Sequence, residues 1–333
     1  MNQLTLKDSF TIAGKGLHSG LEITAVFKPA PENTGYKFKR VDLPEAPVID
    51  AVAENVVETT RGTVIGKAGA VVSTIEHAMA ALYAAGVDNV MIEVNGPEIP
   101  ILDGSAIKFV EAIEKVGLQE QNADKDYYII KEKTQFKDEA TGSTLTIYPD
   151  DGFSVECMVE YNSSVLPNQF AMLDDIAEFK QEVASARTFV FVREIEQLMS
   201  LNLIKGGDLD NAIVIYDEPI SQESINHICD VMNVPHMQLD KLGYINPKPL
   251  VWDNEPARHK VMDVIGDLAL IGRPLKGRVV AVRPGHTINN KFTRMVRHEV
   301  KHTEVQAPLY NPNVPPVIAV SYTHLRAHET GAY

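Results

Sequence analysis

Histidine and aspartate recur at one spacing in "NEPARHKVMDVIGDLALIG" (254–272), where His259, Asp263 and Asp267 stand four residues apart. On a helix, side chains at i and i+4 project from one edge, so an imidazole and two carboxylates line up in a row. Two readings compete. The row is a solvated face with an incidental His–Asp pair, or His259 and Asp263 are two ligands for one metal ion, a donor pair that suits zinc. Val261, Val264, Ile265, Leu268 and Ala269 fall on the opposite side and supply a packing face. Asn254 is placed to cap this helix, Pro256 to sit in its first turn and Gly272 to end it.

Two ligands do not make a tight site. A third candidate is His77 in "STIEHAMAALYAAG" (73–86), which reads as an Ala-rich helix running from a Ser to a Gly. Histidine is not needed for packing there. Glu76 beside it has a competing role, because Ser73-x-x-Glu76 fits a capping box. His286 in "RPGHTINNKF" follows a strand and precedes a helix. It is an exposed or capping loop histidine, or a general acid that Asp267 orients and makes more basic. His77, His259 and Asp263 with one water would form a three-ligand catalytic zinc set. The other histidines show no such grouping, and His227, Cys229 and His236 lack a recognised metal spacing.

The elements that must position these groups occur twice. "LEITAVFK" (21–28) alternates as a half-buried strand, and the helix 73–86 is followed by a strand (88–94), a Gly/Pro loop and a helix (106–117). Later come strand-like 127–131, 144–148 and 153–159, then the helix 255–271, a strand (277–283), a loop and a helix (291–300). This order suggests an α+β fold of two similar units, each a sheet with helices packed on it. Docking them would bring His77 and His259 to one cleft. The expected domains are 1–120 and 126–309, with "QEQNADKD" (119–126) as linker and 217–249 as an insertion in the second. Residues 310–333 are expected to be a Pro-rich linker and a non-native tail.

The chain has 333 residues, 44% of them hydrophobic, ample for two cores. Its net charge of −14 argues against nucleic acid or an anionic membrane as a main partner. Two cysteines, Cys157 and Cys229, in no CxxC arrangement, suit a reducing compartment. The start "MNQLTLKDSF" lacks the marks of a signal peptide, and no apolar run is long enough to span a bilayer, so a cytoplasmic protein is expected.

The chain resembles the zinc-dependent UDP-3-O-acyl-N-acetylglucosamine deacetylases of Gram-negative lipid A biosynthesis. The resemblance runs from "GKGLHSG" (14–20) to about Leu309 through "APENTG" (30–35), "TIEHAMAAL" (74–82), "EIPILDGSA" (98–106), "ARTFVF" (186–191), "KGGDLDNAIV" (205–214), "ARHKVMDVIGDL" (257–268) and "GHTINNKF" (285–292). It implies two layered sheet-and-helix domains with the active site between them. It also implies His77, His259 and Asp263 as zinc ligands (with iron(II) an alternative metal), Glu76 as general base and His286 as general acid supported by Asp267. Thr188 would help hold the oxyanion, Lys260 and Phe189 would contact sugar and diphosphate, Tyr161 would stack on uracil, and His18 would reach a phosphate. The stretch 194–207, with Ile195, Leu198, Met199 and Leu203, would line the passage for the acyl chain.

The activity implied is hydrolysis of the substrate's acetamide to a free amine and acetate, the committed step of the pathway. A hydrolase acting on another N-acyl sugar, or a non-catalytic protein pinned together by its metal, are the alternatives. Val190 stands where many relatives have Gly, and Ala78 where Leu is usual. "YNPNVPPV" (310–317) resembles the junction in relatives fused to a hydroxyacyl-carrier-protein dehydratase, whereas "SYTHLRAHET" (321–330) resembles translated sequencing adapter.

Overall fold

A computed structural model describes residues 1–231 and 234–306. The expected dehydratase junction and non-native tail lie outside the described residues. The helices are α1 (Glu76–Ala84), α2 (Ile107–Val116), α3 (Phe179–Glu182), α4 (Val192–Ser200), α5 (Gln222–Val231), α6 (Glu255–Leu268) and α7 (His286–Gln306).

The duplication is visible in the sheet topology. In the first unit, strands Phe10–Lys15, Glu22–Pro29, Val90–Val94, Tyr36–Arg40 and Val48–Asp50 lie side by side in that order. In the second the order is Thr134–Lys137, Thr144–Tyr148, Leu275–Val282, Phe153–Val159 and Gln169–Leu173. Both sheets pair antiparallel, antiparallel, parallel and antiparallel across the row. In each, the last strand of the unit enters the middle, preceded by one helix (α1 or α6) and followed by another (α2 or α7). Central strands such as Val90–Val94 and Val279–Ala281 bury Val, Ile and Ala, the residues that favour a sheet covered by helices. Each unit also inserts a three-stranded sheet before α1 or α6: Val56–Glu58, Val64–Lys67 and Ala70–Val72 in one, Phe189–Phe191, Ile213–Tyr216 and Gly243–Tyr244 in the other. The fold is α+β, with two similar layered units.

Several expectations need correction. "QEQNADKD" is not a free linker: Leu118–Asp124 is a strand that pairs antiparallel with Asn2–Leu6 and ties the first unit's end to its start. The insertion at 217–249 contributes α5 and the strand Gly243–Tyr244. The first long helix begins at Glu76, not Ser73. Ser73 donates its hydroxyl to the Pro97 carbonyl at 3.1 Å, and Thr74 takes a left-handed φ of 55°, so no capping box forms. Asn254 makes no side-chain cap; its amide donates to the Phe170 carbonyl and its Oδ1 accepts from Arg258 Nε. α7 begins at His286, which therefore opens a helix instead of lying in a loop.

The largest correction concerns α6. Its polar row is not solvated: His259, Asp263 and Asp267 are all buried. The apolar edge lies on strands Phe153–Val159 and Gln169–Leu173 as expected, while α1 and α7 cover the rest. α1 and α6 approach so closely that a Cβ at Gly266 would collide with the Glu76 backbone carbonyl. In an exposed helix, Gly→Ala gains about 0.5–1 kcal/mol of stability. Here the collision should win: Gly266→Ala is expected to destabilise by about 1–3 kcal/mol, checked by the urea midpoint at unchanged m-value.

Candidate metal centre and cleft

The contact between α1 and α6 brings His77 to His259. Their rings are perpendicular with centroids 5.0 Å apart. His77 Nε2 lies 3.9 Å and His259 Nε2 3.4 Å from Asp263 Oδ1, and the three ligand atoms are all within 4.8 Å of one another. Asp263 Oδ1 is buried and, among the described residues, has no hydrogen-bond partner. His259 Nδ1 faces the Ala186 carbonyl at 3.0 Å, so the proton belongs on Nδ1 and the Nε2 lone pair points at Asp263. Burial, reinforced by His259, drives the His77 pKa down to about 3, and burial also lowers that of His259. Burial opposes ionisation of Asp263, but Lys260 and the histidines outweigh it and hold the carboxyl well below its usual range. Two neutral imidazoles and one carboxylate with a free oxygen converge on one point. That donor set fits a divalent cation such as zinc.

Two ionisable groups flank it. Glu76, 3% exposed, accepts the Thr63 backbone N–H at Oε2 (3.1 Å), and its Oε1 lies 3.8 Å from His286 Nε2. Burial, with the Asp263 and Asp267 charges adding to it and His286 offsetting part, pushes its pKa up to about 7. His286 Nδ1 donates to Asp267 Oδ2 at 2.9 Å. Burial disfavours the imidazolium, yet Asp267, Glu76 and Asp263 together raise its pKa to about 9. Asp267 also accepts from Asn289 Nδ2 at 2.8 Å and from the Thr63 hydroxyl at 2.5 Å. Sequence reasoning missed Thr63 and Asn289, because a threonine in a turn and an asparagine in a helix have no spacing that marks them.

A cleft of about 540 Å³ opens over these groups, lined also by Thr188, Phe189 and Lys260. Lys260 Nζ bonds Asp263 Oδ2 at 2.7 Å and sits 5.4 Å from the centre of the Phe189 ring. Burial works against the ammonium, but Asp263 and Tyr161 hold its pKa above the usual value. Tyr161 does not line the cleft; its ring packs 5.5 Å from both Phe189 and Phe191. His18 lies behind, in a second cavity of about 70 Å³ shared with Arg61, Val190, Ile195, Leu198 and Ile204. Of the apolar residues expected to line a passage, Ile195 and Leu198 line this cavity, Met199 packs into the small-sheet core, and Leu203 is not among the cavity's lining residues. His18 Nε2 is buried with no partner among the described residues, and burial, against the pull of Glu98, lowers the ring's pKa.

The walls are held rigidly. Glu98 accepts the backbone N–H groups of His18 and Ser19, each at 2.8 Å, and the Thr74 hydroxyl at 3.0 Å. Arg187 and Glu255 form a buried bidentate pair that fixes the start of α6 against the Thr188 segment. Thr188 N–H bonds the Gly104 carbonyl at 2.8 Å; Gly104 has φ +81°, and any side chain there would strike Asn211. Arg61, Thr74 and Arg283, all around the cleft, take left-handed φ values of 65°, 55° and 53°. Non-glycine residues hold such conformations at a cost of about 1–3 kcal/mol each, which the surrounding packing must supply.

With this geometry in view, the comparisons are decisive about kinship. Residues 3–243 and 235–298 match the family described as UDP-3-O-acyl N-acetylglycosamine deacetylase. The chain belongs to this family. It is 63% identical over 321 residues to a Bacteroides thetaiotaomicron protein named bifunctional enzyme LpxC/FabZ, covering 96% of this chain and 70% of that one. A Porphyromonas gingivalis protein of the same name is 57% identical, with 96% and 69% covered. A Myxococcus xanthus UDP-3-O-acyl-N-acetylglucosamine deacetylase is 36% identical, with 91% and 89% covered. Among the described residues no helix is long and apolar enough to cross a membrane.

The charge network makes a testable statement. His286 binds its proton more tightly folded than unfolded, so its pairing with Asp267 and Asp263 contributes stability that is present below about pH 6.5 and lost as pH rises through about 9. In the metal-free protein, an NMR titration of the His286 ring is expected to give a midpoint near 9. Asp267→Asn should lower that midpoint by about one unit or more. An unmoved midpoint would show that Asp267 does not hold the charge.

Proposed function

We propose that the chain is a zinc-dependent deacetylase acting on UDP-3-O-(3-hydroxyacyl)-N-acetylglucosamine. It would hydrolyse the acetamide to the free amine and acetate, the committed step of lipid A biosynthesis in a Gram-negative cytoplasm. The observation that carries the reading is the buried cluster of His77, His259 and Asp263 with Glu76 on one side and the His286–Asp267 pair on the other. A metal that only pinned two domains together would need neither flank. The free, buried Cys157 and Cys229 suit a reducing compartment.

His77, His259 and Asp263 would hold the zinc, which would supply Lewis acidity to a water and to the acetamide oxygen. Iron(II) suits the same donors. Glu76, with a pKa near neutrality, takes the proton of the attacking water. An amine leaves poorly unless protonated, so His286 begins as the imidazolium that Asp267 maintains and gives its proton to the departing nitrogen. The Thr188 hydroxyl donates to the oxygen as it becomes negative. Lys260 and the Phe189 face beside it take the sugar and diphosphate, and Tyr161, packed outside the cleft, braces Phe189 instead of stacking on the uracil. His18, expected at a phosphate, instead shares the small cavity of Ile195 and Leu198. Ile195 and Leu198 would receive the acyl chain.

For the full-length protein, a covalently joined hydroxyacyl-carrier-protein dehydratase belongs to the same reading. The junction-like "YNPNVPPV" and the bifunctional names of two relatives support it.

The deciding experiment measures acetate released from the UDP-linked substrate, with an N-acyl sugar lacking the 3-O-acyl chain as comparison. Chelation should abolish release and zinc restore it. Glu76→Ala should lower kcat by about 10²–10⁴-fold while leaving metal content unchanged. Full activity after chelation would end the zinc mechanism, and equal rates on both substrates would end the substrate assignment.

A further inference from the structure

Thr63 is wholly buried, lies in the loop between strands Val56–Glu58 and Val64–Lys67, and reaches both proton-transfer groups at once. Its backbone N–H donates to Glu76 Oε2 at 3.1 Å. Its hydroxyl lies 2.5 Å from Asp267 Oδ1 and 3.4 Å from His286 Nδ1. A hydroxyl has one proton to give. The shorter distance assigns it to Asp267, and a bond of that length to a buried carboxylate is charge-assisted. Among the described residues no other donor to Asp267 Oδ1 is seen, whereas Oδ2 is shared by His286 Nδ1 and Asn289 Nδ2.

We propose that Thr63 is a positioning residue for the reaction: it locks the Asp267 carboxylate so that His286 presents its Nε2 to the cleft, and holds Glu76 opposite. The proposal rests on the reading of Glu76 and His286 as base and acid. Without the hydroxyl, Oδ1 would be an unsatisfied acceptor inside the protein, and the carboxylate would rotate or take up a proton to find a partner. Either change releases His286 Nδ1. The backbone half of the device tolerates substitution, because the N–H survives in any residue but proline. The adjoining Gly62 lies against the other carboxylate oxygen, where a Cβ would stand 3.1 Å from Glu76 Oε1. The loop therefore lies close to Glu76 on one side while it binds Asp267 on the other.

The test compares Thr63→Val, which keeps the shape and removes the hydroxyl, with Thr63→Ser, which keeps the hydroxyl. Thr63→Ala is added as a variant that cannot clash. Val and Ala are expected to lower kcat about 10- to 100-fold, with KM and metal stoichiometry within about twofold of wild type. Ser should stay within about threefold. In the metal-free protein, the His286 Nδ1–H proton resonance should be kept in Ser and shifted or lost in Val and Ala. The idea is overturned if Val and Ala retain kcat within about threefold, or if Ser falls as far as they do. The resonance needs no substrate. If wild type proves inactive on the proposed sugar, an unchanged Nδ1–H signal in Val still overturns the role, and a shifted one supports it.

Discussion

The site depends on one backbone contact, that of Gly266 in α6 with the Glu76 carbonyl in α1. No side chain fits between the helices there, so their polar edges are forced face to face. His77 comes from one unit, His259 and Asp263 from the other, and neither unit could assemble the three donors alone. The same approach strips water from the groups it joins. Buried ionisable residues persist only when paired, hydrogen-bonded or neutralised, and this constraint determines what the surrounding residues must be.

The charges around the centre make the point. Glu76, Asp263 and Asp267 are three carboxylates, all buried, facing two cations, Lys260 and the protonated His286. One carboxylate is in excess, and the proton that Glu76 holds up to about pH 7 reduces that excess. A divalent cation between His77, His259 and Asp263 would remove the need for that proton and leave Glu76 free to accept another. On this account, the pKa of the base and the loading of the metal are one electrostatic quantity. Asp267 accepts hydrogen bonds from three side-chain donors, Thr63, His286 and Asn289.

The metal row was legible in the sequence because i, i+4 spacing survives any packing arrangement, and the repeated order of elements foretold the duplicated sheets. What the sequence did not reveal was burial. The polar edge of α6 resembles a solvated face to any periodicity argument, since the helix that covers it comes from residues almost two hundred positions away. Ser73-x-x-Glu76 misled for a related reason: the local pattern is a good cap, but the cleft competes for Glu76 and Thr74 turns the chain before a cap can form. "QEQNADKD" looked like a linker because both faces of its strand are largely polar, and only pairing with Asn2–Leu6 reveals it. Thr63 and Asn289 were illegible because their roles arise from three-dimensional convergence on Asp267.

Duplication explains the scaffold but not the asymmetry of the site. Both units insert a three-stranded sheet before the helix that carries a histidine ligand. In the first unit, the loop of that sheet delivers Thr63 and Gly62 to the carboxylates. In the second, Thr188 and Phe189 stand at the cleft, and the sheet builds an apolar cavity with Ile195 and Leu198 from α4. One insertion thus meets the buried carboxylates and the other lines an apolar cavity. A symmetric cleft would present the same face to both ends of a substrate. The cleft is instead asymmetric, with carboxylate contacts supplied by one insertion and apolar walls by the other, although the two sheets hold the same place in their units.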